Sequence, residues 1–95
     1  MSPIVALWEV HRDAGWPVFS SPDEGHLMTL DTVIGGCTTY FLDNPEGLDA
    51  QRLAILADCL ADLDELLPSV PEEASAYFER LRTLAGLLLA AQGSP

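Results

Sequence analysis

The chain is predicted to be mainly α: a compact bundle of three or four helices that ends in an antiparallel αα-hairpin. Three observations predict it. Leucines recur at helical spacing through the second half, caps and prolines sit where two helices would begin and end, and a 3-4-3-4 apolar pattern crosses residues 27–41.

The N-terminal stretch "SPIVALWEVHRDAG" reads as a helix with Ser2 as cap, Pro3 at its first position and Gly15 as its stop. Ile4, Val5, Trp8 and Val10 would also suit a strand. "PVFSSPDEGHLMTL" sets turn chemistry between two short apolar runs, which leaves room for a small β-hairpin near residues 16–30. Ser21 and Glu24 offer a capping box there instead. The runner-up fold is therefore α+β, with a small N-terminal antiparallel sheet packed on the helical hairpin.

"DTVIGGCTTYFLD", residues 31–43, is where the two folds part. Gly35-Gly36 between β-branched and aromatic flanks is a two-residue turn signal. Against it, Leu27, Leu30, Ile34, Cys37 and Phe41 fall on one helical face, and Asp43-Asn44-Pro45 is where a helix would stop. Two mid-helix glycines cost about 1 kcal/mol each relative to alanine, which packing can offset. Five spaced positions are harder to obtain by accident than one dipeptide, so the helix is preferred.

Residues 49–67 and 70–92 are the firm helices. Asp49 caps the first, with Leu48 and Leu53 placed as a hydrophobic staple. Leu53, Leu56, Leu60, Leu63 and Leu67 then line one face, widened by Ile55, Cys59 and Leu66. Pro68 is expected to end it by pushing its predecessor out of the α region. Ser69 and Glu72 form an S-x-x-E capping box for the second helix, whose inner face is Phe78, Leu81, Ala85 and Leu88 and which frays at Gly93. "LAGLLLAA" is apolar nearly all round, so Leu87 and Leu89 want a cover, and a second copy of the chain is the simplest one.

Ninety-five residues make one small domain, 1–95. The chain is 48% hydrophobic yet carries a net charge of −11, with four Arg and no Lys against fifteen carboxylates. Its mean hydropathy is +0.19, far too apolar for a disordered chain, and its pI is about 4.1. Four scattered Arg cannot make the basic face that nucleic acid or an anionic membrane requires. A field of this sign attracts a basic protein or a cation, and it also keeps a protein soluble. The N-terminus lacks a basic n-region, and no apolar run approaches the roughly 20 residues of a membrane span. Cys37 and Cys59 have no C-x-x-C and are expected to be reduced, so a cytoplasmic location is expected.

Catalytic signatures are absent from the sequence: no phosphate loop, no G-x-S-x-G elbow, no metal-ligand spacing. Cys37 on the helical reading points inward with Ile34 and Phe41, and its nearest charges in sequence, Asp31 and Asp43, are acidic. His11, His26 and Asp31 are the only set from which a small enzyme or metal protein would be built, and no spacing joins them. Neither a metal nor a cofactor is expected. Trp8 and Trp16 read as core or core-edge aromatics, with an interface role as the alternative. Asp58, Asp62 and Glu65 fall at i, i+4 and i+7 with Asp64 beside them, an acidic stripe that is either a solvated face or a recognition surface for Arg and Lys. The expectation for function is thus a non-enzymatic, acidic protein-binding module, an immunity- or antitoxin-type inhibitor of a basic partner. The alternative is a self-associating structural or regulatory homodimer using Leu87 and Leu89.

Overall fold

Helical periodicity prevails over strand propensity in residues 3–13 and 31–43, where the two competed. In the computed structural model, which describes residues 2–92, the order is α1 (Pro3–Asp13), α2 (Glu24–Asp43), α3 (Ala50–Leu66), a 3-10 turn (Leu67–Ser69) and α4 (Glu72–Gln92). No strand occurs among the described residues. The stop expected at Gly93 lies outside them.

Residues 31–43 belong to α2, and the positions that predicted it face inward: Leu27, Leu30, Ile34 and Cys37 are buried and Phe41 packs against them. The two glycines behave differently. A Cβ on Gly35 would stand 3.3 Å from the Trp8 ring, so the missing side chain lets α1 close on α2; a Cβ on Gly36 would meet nothing within 4 Å. Asn44 is extended ahead of Pro45, its Nδ2 donates to Tyr40 O at 2.8 Å, and the helix ends there.

The expected hairpin near residues 16–30 does not form. Residues 14–23 are irregular, and Trp16 and Phe19 close over α4 instead of pairing in strands, while Val18 stays exposed. Trp16 meets Phe78 and Tyr77 edge-on at 5.6 and 5.5 Å, and Phe19 meets Phe78 at 5.7 Å. The capping box also fails: Ser21 Oγ accepts from Asp23 N, while the Glu24 carboxylate accepts from Trp16 Nε1 at 3.1 Å, so Asp23 is the N-cap. Ser2 likewise makes no side-chain cap, and α1 ends at Ala14 without a left-handed Gly15.

The C-terminal hairpin forms as the leucine spacing predicts. Asp49 Oδ1 accepts from Arg52 N at 2.8 Å, and Leu48 is buried beside Leu53. Two details differ. Leu67 keeps α-helical angles before Pro68, and the helix closes through a 3-10 turn rather than by expulsion of that residue. Ser69 sits in that turn, because Val70 is held extended ahead of Pro71 and α4 cannot start until Glu72.

α4 is the central element and packs on each of the other three helices. Phe78, Leu81, Leu84, Ala85 and Leu88 have no exposed surface, and they meet Ile4 of α1, Leu27, Leu30 and Ile34 of α2, and Leu56 and Leu63 of α3 in one cluster. Each large side chain buried in this way contributes roughly 1.5–3 kcal/mol relative to exposure.

Candidate functional site

The bundle holds two arrangements of interest, a buried polar cluster joining α1, α2 and α4 and an open groove between α2 and α3. In the cluster, the buried His11 of α1 places Nε2 2.7 Å from Asp31 Oδ1. Its Nδ1 accepts from Arg80 Nε of α4 at 3.2 Å. Tyr77 OH donates to the other Asp31 oxygen at 3.0 Å, and the Arg80 guanidinium lies over the Tyr77 ring at 5.4 Å. These partners assign the ring proton to Nε2 and leave neither nitrogen available. Burial, followed by the Asp31 charge and hydrogen bond, pushes the Tyr77 hydroxyl far above its ordinary range and keeps it a donor. No buried side-chain polar atom among the described residues lacks a partner. The cluster is a polar joint in which both His11 nitrogens and both Asp31 oxygens are engaged.

His26 takes no part in it. Its Nε2 lies 3.5 Å from Asp62 Oδ2 on α3, and the set His11, His26 and Asp31 is therefore split between two places. No group of three potential metal ligands converges among the described residues. Cys37 and Cys59 are buried free thiols, and burial raises both pKa values above the ordinary thiol range. Mutual proximity adds to the rise at Cys59.

The acidic residues of α3 differ in their partners. Asp58 and Glu65 are exposed, and no Arg or His pairs with them among the described residues. Asp62 leans to α2 and His26, whereas Asp64 leans to α4 and pairs with Arg82. The remaining Arg are also engaged within the chain: Arg12 with Asp13 at 3.5 Å, Arg52 with Asp49 at 2.6 Å, and Arg80 in the buried joint. The backbone N–H of Arg52, then its guanidinium, holds the Asp49 carboxyl below the usual carboxylate range.

Between α2 and α3 runs a groove of about 470 Å³ lined by Val33, Gly36, Tyr40 and Asp43 of α2 and by Arg52 and Ile55 of α3. The Arg52 guanidinium stacks on the Tyr40 ring at 3.8 Å. Sequence reasoning did not find this groove. The one signal for it was the pair of glycines in α2, since a position without a side chain opens a helix surface.

Leu87 and Leu89 are half-buried and pack against the core cluster, so α4 covers part of its apolar excess inside the molecule. No helix among the described residues is long and apolar enough to cross a membrane. Compared with family models, curated proteins and solved structures, the chain matches nothing in any of the three.

Proposed function

We propose that the chain is an acidic, non-enzymatic binding module that takes a basic protein partner in the cytoplasm, in the manner of an immunity- or antitoxin-type inhibitor. One observation carries the reading. All four Arg are engaged by the chain's own groups, while Asp58 and Glu65 stand exposed on α3 and no Arg or His pairs with them among the described residues. The negative field is thus turned outward, and it would steer a positively charged partner to the α3 face. The half-burial of Leu87 and Leu89 favours this reading over self-association through α4.

The test is capture from the native host's lysate on immobilised protein at roughly 50 mM and 500 mM NaCl, where charge screening differs strongly. One basic protein held at low salt and released at high salt is the expected result. Recovery of the bait alone at both salts overturns the reading and leaves the self-associating module.

A further inference from the structure

We infer that the α2–α3 groove is the docking site for a basic amphipathic helix of the partner, seated with its apolar ridge on Val33, Gly36 and Ile55 and its Lys or Arg side chains on Asp43, Asp58 and Asp62. The inference rests on the proposed function and names the surface and the form of the partner.

The chemistry of the two walls differs in a way that fits such a helix. On α2 no Asp, Glu, Lys, Arg or His occurs between Thr32 and Leu42, although the chain carries fifteen carboxylates. The threonine hydroxyls of this helix turn back to its own carbonyls, Thr32 to Met28 O at 2.9 Å and Thr39 to Gly36 O at 3.0 Å. Their hydrogen bonding is met within the helix, so an apolar neighbour strands no donor there. Gly36 carries no side chain and a Cβ there would meet nothing within 4 Å, so a second helix can come close to the α2 backbone.

On α3, Ile55, Asp58 and Asp62 fall at i, i+3 and i+7 and form one ridge. Its first member lines the groove and its last reaches His26 of α2, so the ridge follows the seam between the two helices. Ile55 is an apolar side chain left 41% exposed. Asp43 is thus the carboxylate in the groove lining, and Asp58 and Asp62 extend the Ile55 ridge beyond that lining toward His26. Arg52 also lines the groove, but its guanidinium pairs with Asp49 and lies over the Tyr40 ring, and no ion pair joins it to Asp43. A second copy of this chain would bring its own negative field against those carboxylates, and charge complementarity selects a basic occupant. From Val33 to Asp43 the groove offers about 15 Å of helix, enough for about three turns of a partner helix.

The full-length, isotope-labelled protein is titrated with a synthetic helical peptide of about 18 residues, Leu and Ala on one ridge and Lys and Arg elsewhere, and with a scrambled peptide of equal composition that lacks the ridge. Binding of the first peptide with amide shifts at Val33, Gly36, Tyr40 and Ile55, about tenfold tighter than the scrambled one, is the expected result. Gly36→Met should weaken that binding about tenfold by filling the groove, with an unchanged circular dichroism spectrum. Should that variant not fold, Asp58→Asn with Asp62→Asn carries the test, and is expected to flatten the salt dependence of the amphipathic peptide alone. Equal affinity for both peptides, with shifts spread over the outer carboxylates, overturns the groove and leaves the acidic module standing. No binding of either peptide, where the lysate has yielded a basic protein, also ends the groove assignment. A concentration-dependent dimer abolished by Gly36→Met would make the occupant a second copy and overturn the inference equally.

Discussion

Gly35 and Gly36 are adjacent in sequence, yet one touches the Trp8 ring and the other faces open space. Replacing Gly36 by Ala should stabilise the fold by up to about 1 kcal/mol through helix propensity alone. Gly35→Ala should give less or reverse sign, because the Trp8 ring at 3.3 Å must yield. Urea unfolding of both variants measures the difference, and equal gains would deny the ring any close packing. Tyr77 makes a second residue-scale prediction. Its folded pKa lies above the ordinary value of 10.0, so its contribution is fully present below that pH and is lost as pH rises through the folded value. Stability should therefore fall with increasing slope between about pH 9 and pH 11, and Tyr77→Phe should flatten the slope while costing about 1 kcal/mol at neutral pH. Denaturant midpoints across that range decide it; an identical slope in the variant would remove Tyr77 as the cause.

α1 is the shortest helix of the bundle, with Ile4 as its buried apolar residue, and it is joined to the rest by the Trp8 contact and the His11 joint. His11→Ala would leave Asp31 and Arg80 without their shared partner, at a cost of about 2–3 kcal/mol and a Tm lower by roughly 10 °C or more. Amide exchange in α1 should rise before exchange in α3 and α4 does; uniform acceleration would mean that α1 does not open separately. The same elements show why some structure is legible in sequence and some is not. Leu27 to Phe41 and Leu53 to Leu67 announce their helices because a helix face is a property of one segment. The boxes expected at Ser21 and Ser69 fail because S-x-x-E records spacing alone, whereas Trp16 claims Glu24 and Pro71 fixes Val70. The acidic residues of α3 were legible as exposed carboxylates. Their division between His26 and Arg82 was not, and neither was the groove, since both depend on which helices become neighbours.

The molecule as a whole is set by its charge of −11, which no internal ion pair removes. Three of its Arg–carboxylate pairs are solvent-exposed and contribute about 0–1 kcal/mol each, less as salt is added. Repulsion among the excess carboxylates opposes the folded state and is screened by the same salt. Net repulsion should dominate, so Tm should rise as NaCl increases from about 10 mM to about 200 mM. A scanning calorimetry series tests this, and a falling Tm would assign more stability to the exposed pairs than their geometry suggests. The long reach of the His11–Arg80 bond, 69 residues apart in sequence, bears on how the chain is made. A ribosome extending it at about 5–20 residues per second leaves roughly 3–14 s between the two partners. During synthesis α1 can therefore meet Gly35 of α2 through Trp8 early, but His11 waits for α4 before its joint with Arg80 can close. Through that interval the buried joint, and with it the docking of α1 on α4, is incomplete.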